Sequence, residues 1–309
     1  MVLSSEEYCK RGVDKRRIRD YQGSIQDFNI AIELNPNNTN AYNNRGVAKE
    51  YLQDYQGAIQ DFDKAIELNQ NNSLGYFNRG NAKNWVKEYQ GAIQDFDKAI
   101  AHRHDYDSAY HSRGISKYEL KDYFGAKEDY DMAIKLGIKD ALVYNERGLA
   151  KFGLSDFEEA IDDFSVALEI DPQFRSAFYN RGIAKDLLSD YVGAIEDISQ
   201  AIDIDPNFPE AYHGRGRNKI ELDDYKGAIL DYDKAIELNS EYIDAYNSRG
   251  RAKNNIGDYT GAIQDYSKAI EYDPDDAELY YNRGISKFES GDKDEAYSDW
   301  KVAGELGYI

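Results

Sequence analysis

The dipeptide Arg-Gly stands at Arg11-Gly12 and returns at residues 45, 79, 113, 147, 181, 215, 249 and 283, each step being 34 residues with no insertion or deletion. A period that short gives each copy too little apolar surface to bury a core alone. The copies must therefore stack on their neighbours, and the period decides the architecture before any single residue does. The run 55–66 recurs letter for letter at 89–100, which points to internal duplication.

Every copy reads alike. The Arg-Gly pair lies in an apolar-periodic segment of about 14 residues, long enough for a helix. A turn with an acid follows, at Asp20, Asp54, Glu88, Asp122, Asp156, Asp190, Asp224, Asp258 and Asp292, and then a second periodic segment. Acids just before a helix can cap its free N–H groups, so they mark where the second helix begins. The Gly of the first helix and the two Ala of the second predict close helix approach, which offsets the roughly 1 kcal/mol propensity cost of Gly.

The best copy carries Tyr42, Gly46, Ala58, Phe62 and Ala65, and Pro36, Pro172, Pro206 and Pro274 close four repeats. In this pattern the chain resembles the tetratricopeptide repeat, a helix-turn-helix unit of 34 residues. The resemblance covers residues 5–309 and divides them into nine repeats, 5–38, 39–72, 73–106, 107–140, 141–174, 175–208, 209–242, 243–276 and 277–309. It implies an all-α fold, a right-handed superhelical solenoid of paired antiparallel helices in one domain, whose concave face holds another polypeptide. Where the family has Leu before the Gly and Tyr three residues after it, this chain has Arg and Lys, nine times each.

Composition narrows the function. Only 41% of the residues are hydrophobic, which suits an elongated stack better than a 309-residue globule. The net charge of −20 argues against nucleic acid and anionic membranes, both of which need a basic field. No apolar run approaches the roughly 18 residues of a membrane helix, and the start has no basic-then-apolar leader. Cys9 is the one cysteine, so no internal disulfide forms and a cytoplasmic location is expected. His102, His104 and His111 beside Asp105 and Asp107 make a weak metal motif, because side chains two apart on a helix diverge. No Ser-His-Asp order, phosphate loop or zinc signature appears. No cofactor, metal or catalytic residue is expected, and the chain reads as a non-enzyme.

The Arg and Lys ladders share one face of the first helix, and the second helix has its own ladder, Asp27 and its equivalents through Asp299. Either Arg and Asp pair inside each repeat, as charges at a packed seam require, or the bases form a stripe for phosphates. The acidic balance favours pairing, and the resembled family commonly exchanges its Leu for Arg together with an Asp in the second helix.

Binding must then use positions that vary between repeats. In the resembled family the groove is lined by first-helix residues, and the matching positions here nominate Phe77, Asn81, Asn84, Trp85, His111, Ile115, Tyr118, Asn145, Phe152, Tyr179, Arg217 and Arg251. Aromatic anchors with polar rims are what binding surfaces use, while aromatics at helical spacing also serve as core. Some family members clamp a chaperone tail with Lys and Asn, but the matching places in the first repeat are Cys9 and Val13. The expected function is a scaffold that binds a peptide or protein segment in its groove. Two alternatives are self-assembly through the terminal helices and an arm of a larger enzyme or complex. The first alternative rests on the C-terminus, where 306–309 align with 136–139. A covering helix would follow there, so Trp300 and Ala303 are expected to lack cover and to offer a homo-oligomer surface.

Overall fold

The periodicity calls for a helix on each side of every acidic turn, and the computed structural model, which describes residues 3–308, has one in each place. By contact density the chain divides after Asp156 into two units. In the first unit the helices carrying Arg-Gly are α1 (Ser5–Arg17), α3 (Thr39–Tyr51), α5 (Ser73–Trp85), α7 (Asp107–Glu119) and α9 (Ala141–Gly153). The helices answering them are α2 (Tyr21–Leu34), α4 (Tyr55–Leu68), α6 (Tyr89–His102) and α8 (Tyr123–Leu136). The second unit opens with α10 (Phe157–Ile170). It continues with α11 (Arg175–Leu187), α12 (Tyr191–Ile204), α13 (Pro209–Glu221), α14 (Tyr225–Leu238), α15 (Ile243–Asn255), α16 (Tyr259–Tyr272), α17 (Ala277–Glu289) and α18 (Lys293–Glu305).

Each junction between paired helices is built the same way. Lys121 lies in the left-handed region at φ 62°. Its N–H donates to the Tyr118 carbonyl at 2.8 Å, and the Asp122 N–H donates to the Lys117 carbonyl at 2.9 Å, a Schellman ending. Asp122 then caps α8, its carboxylate accepting from the Gly125 N–H at 3.0 Å. The third helical position is Gly because a Cβ there would sit 2.4 Å from the carboxylate. The same cap forms at Asp20, Asp54, Asp190, Asp224, Asp258 and Asp292, while the longer Glu88 makes no side-chain cap.

The left-handed place is Gly only at Gly257 and Gly291 among these turns. A side chain there costs ~1–2 kcal/mol, and Gly costs ~0.4–1 kcal/mol in extra unfolded-state freedom. Lys121→Gly is therefore expected to stabilise the protein by ~0.5–1 kcal/mol, read as a higher urea midpoint; a lower midpoint would refute the strain.

The Gly of the Arg-Gly pair lets a side chain of the facing helix press onto the first helix, a ring in most repeats and Ile198 at Gly182. A Cβ on Gly46 would lie 2.6 Å from the Phe62 ring, one on Gly80 2.7 Å from Phe96, and one on Gly114 2.8 Å from Tyr130. Phe62 and Phe96 are wholly buried, and the flanking Ala58, Ala65, Ala92 and Ala99 complete the seam.

The ladders pair. In every repeat whose two helices lie in one unit, Arg forks onto the Asp sixteen residues on, as Arg79 Nε to Asp95 Oδ2 at 2.9 Å and Nη2 to Oδ1 at 2.5 Å. Lys83 takes the same carboxylate at 2.8 Å. The third guanidinium nitrogen reaches back one repeat, Arg45 to Asn29, Arg79 to Asp63, Arg113 to Asp97, Arg215 to Ser199 and Arg283 to Ser267. Each Arg also lies over the ring three residues before it, Arg79 at 5.5 Å from the Tyr76 centroid.

The last repeat departs from the sequence expectation. Ala303 is buried, and Trp300 takes the place of the seam ring. A Cβ on Gly284 would meet the Trp300 indole nitrogen at 2.4 Å, and that nitrogen donates to the Tyr281 carbonyl at 3.2 Å. Tyr308 stacks on Tyr281 at 4.5 Å. The large indole fills the seam from within, so Ala303 is covered, while Trp300 itself is half-buried; Ile309 lies outside the described residues.

Candidate binding groove

Within the first unit α1 touches α3, α3 touches α5, α5 touches α7 and α7 touches α9, whereas no described second helix touches another second helix. The helices carrying Arg-Gly therefore line the inner, concave side. Small residues set that spacing: Ala48 and Ala82 are wholly buried between neighbours.

On this face α3, α5 and α7 enclose a hollow of about 730 Å³. Its floor is Val47, Asn81, Ser112 and Ile115, each next in sequence to an Arg-Gly pair. Glu50 and Asn84 stand one turn further along, and Tyr51, Trp85 and Glu119 beside them. Tyr55 and Tyr89, the first residues of α4 and α6, close one side, with Lys87 on the turn between α5 and α6.

The aromatic wall is assembled across repeats. The Tyr55 ring stacks on Trp85 with centroids 5.7 Å apart and planes within 11°. One repeat earlier, Tyr21 stacks on Tyr51 at 4.7 Å. One repeat later the Tyr89 hydroxyl donates to Glu119 at 3.3 Å. Trp85 remains 68% exposed and Tyr51 61%, so each shows one face to solvent although the other is covered. Asn84 is held by Ser116, whose hydroxyl donates to its side-chain oxygen at 2.8 Å. The Glu50 carboxyl has no hydrogen-bond or ion-pair partner among the described residues, and burial pushes its pKa up to about 7.

Of the residues nominated from sequence, the hollow gathers Asn81, Asn84, Trp85 and Ile115. Phe77 packs into the seam instead, against Phe96 at 6.0 Å and Tyr106 at 4.8 Å. Tyr118 lies against Tyr123 at 5.4 Å beside the core of Tyr130 and Val143. His111 is tied by Nε2 to Glu146 at 2.5 Å. Burial works against the charged ring, yet the hydrogen bond and charge of Glu146, with Asp140 behind, leave the His111 pKa raised. Asn145 is buried and Phe152 half-buried. In the second unit Tyr179 packs on Phe208 at 4.8 Å. Arg217 is exposed with one nitrogen 3.6 Å from Asp186, and Arg251 is exposed.

Sequence reasoning did not single out Tyr51, Tyr55, Tyr89, Ser112 or Glu119; Glu50 holds the same first-helix position as the nominated Asn84, Tyr118 and Phe152 but was not nominated with them. The one available signal was the Tyr that opens second helices at 21, 55, 89, 123, 191, 225 and 259, a ladder broken only by Phe157 and Lys293. Among the described residues no group of three His, Cys, Asp or Glu converges as metal ligands, and the His102 ring stacks on Tyr76 at 5.8 Å. No described helix is long and apolar enough to cross a membrane.

Family models described as tetratricopeptide repeat match residues 39–72, 145–209 and 209–242, and one described as TPR repeat matches 250–291. No curated protein matches the chain. Among solved structures, MamA is similar at 28% identity and TM-score 0.52, over 54% of this chain and 91% of that one. YrrB, described as a TPR protein with an unusual peptide-binding site, is similar at 22% identity and TM-score 0.53, over 60% and 95%. The C-terminal part of a TPR repeat-containing protein from Cytophaga hutchinsonii is similar at 20% identity and TM-score 0.65, over 75% and 95%. The last two likenesses are of fold alone.

Proposed function

The chain belongs to the tetratricopeptide-repeat family, and we propose that it is a non-catalytic scaffold whose first unit holds an extended segment of a partner protein along α3, α5 and α7. The observation that carries this reading is the hollow itself, where exposed Trp85 and Tyr51 rings stand beside the amides of Asn81 and Asn84. Flat rings offer a partner's side chains apolar area at low entropic cost, and side-chain amides can pair with a peptide backbone that has left its own secondary structure. The stacking on Tyr55 fixes the Trp85 ring before any partner arrives, so less freedom is lost on binding. YrrB, described as a TPR protein with an unusual peptide-binding site, shares the fold.

Trp85→Ala is expected to weaken partner binding by ~2 kcal/mol or more while leaving the circular dichroism spectrum unchanged, because the ring is mostly exposed and outside the seam. Titration calorimetry of the captured partner with both chains checks this; equal affinity would move the site elsewhere.

A further inference from the structure

The chemistry of the hollow is more specific than that of an aromatic trough. Two of its lining residues are acids, Glu50 and Glu119, and one is a base, Lys87. Other cations nearby are already engaged. On α3 and α5, Lys49 and Lys83 are each 2.8 Å from an Asp of the ladder, and on α1 Arg16 donates to Asn44 at 3.2 Å. From α4 and α6 only Tyr55 and Tyr89 reach the lining, and α2 contributes nothing to it. Lys87 is exposed on its turn, at the rim, while Glu50 is half-buried. Glu119 already accepts from the Tyr89 hydroxyl, so Glu50 is the group left without a counterpart.

A half-buried carboxylate without a donor is costly, and its ordinary remedies are a hydrogen bond or a cation. Next to it stand the stacked Tyr55 and Trp85 rings and the exposed face of Tyr51, surfaces that attract a cation electrostatically and cover an alkyl stem. The net charge of −20 draws basic segments toward the chain from a distance. We propose that this hollow seats the side chain of a lysine or arginine of the bound segment, its stem against Trp85 and Tyr51 and its charge at Glu50, with Glu119 at the edge. This rests on the reading of the inner face as a peptide seat and names the partner's chemistry there. An acidic side chain is repelled in the same place, and a neutral one leaves Glu50 uncompensated.

Protonation gives an independent readout. Burial holds Glu50 half-protonated near pH 7. Only the ionised form attracts a cation, so affinity rises as pH rises through about 7 and falls below it.

The test selects random-sequence peptides displayed on phage against the full chain above pH 7, with the Trp85→Ala chain as counter-selection. The expected result is a lysine or arginine at one fixed place in the sequences that need Trp85. Changing that residue to glutamine in a synthetic peptide lowers affinity about tenfold, and Glu50→Gln lowers affinity for the basic peptide about fivefold or more. The Glu50→Gln chain binds the glutamine peptide at least as tightly as the unaltered chain does, and its affinity for the basic peptide no longer rises through pH 7. Trp85-dependent peptides without a basic position, or undiminished binding by Glu50→Gln, overturn the charge assignment and leave the groove reading standing. A selection that yields no Trp85-dependent sequence removes both.

Discussion

Arg79→Ala is expected to cost ~2–4 kcal/mol, felt first in the repeats that Arg79 joins. The Asp95 carboxylate is 4% exposed and receives three charged donors, two from the Arg79 fork and one from Lys83. Taking away one partner of a buried pair leaves the other charge unpaired, at ~3–5 kcal/mol when nothing replaces it. Lys83 stays, so the loss is smaller, although the bond from Arg79 to Asp63 in the preceding repeat goes too. Arg79→Lys keeps the charge and loses the fork, and is expected to recover less than half. Asp63→Ala removes a carboxylate that is 54% exposed and is expected to cost only ~0–1 kcal/mol. Amide hydrogen exchange in α5 and α6, together with urea unfolding, reads all three. Unchanged protection in Arg79→Ala would show that the ladder does not hold the seam.

The pairing of the ladders was legible because Arg and Asp keep identity and spacing through every repeat, and a seam cannot hold one without the other. The link from each Arg to the repeat before it was not. The accepting positions read Asn29, Asp63, Asp97, Asp131, Ser165, Ser199, Asp233 and Ser267, so the letter changes while the acceptor oxygen persists. A pattern search for one residue type misses a conserved chemical capacity.

The groove was half legible for a related reason. Asn81, Asn84, Trp85 and Ile115 are found by asking which positions vary on the inner face, and the structure gathers them around one hollow. Phe77 and Tyr179 satisfy the same rule but turn into the seams, since spacing alone does not separate a ring that lines a surface from one that supports it. Glu50 stands at the same position of its helix as Asn84, and what the sequence did not show is that its carboxyl is half-buried in the hollow that Tyr51, Tyr55 and Trp85 also line. Tyr55 and Tyr89 belong to a position that is Tyr in seven of the nine repeats, yet they line the hollow, beside Trp85 and Glu119 of the next first helices.

The largest effect belongs to the ring that the Arg-Gly glycine accommodates in most repeats. Phe96→Ala is expected to cost ~3–5 kcal/mol, because Phe96 is wholly buried and the backbone of α5 packed against it cannot collapse far into the space. Gly80→Ala acts on the other side of the same contact. Its new methyl would lie 2.7 Å from the Phe96 ring, and a ring held by Phe77 and the seam alanines has nowhere to move, so a loss of ~1–3 kcal/mol is expected. The two changes are not independent. Once Phe96 is alanine the clash is gone, and Gly80→Ala becomes a gain of ~0.5–1 kcal/mol from helix propensity. The sign of the glycine substitution therefore reverses between the two backgrounds, a coupling of ~2–3 kcal/mol measurable in a double-mutant cycle by urea unfolding. If Gly80→Ala has the same effect with and without the ring, the glycine is there for some reason other than the close approach. The Arg-Gly period would then mark the charge ladder alone and not the seam that sets the spacing of the helices.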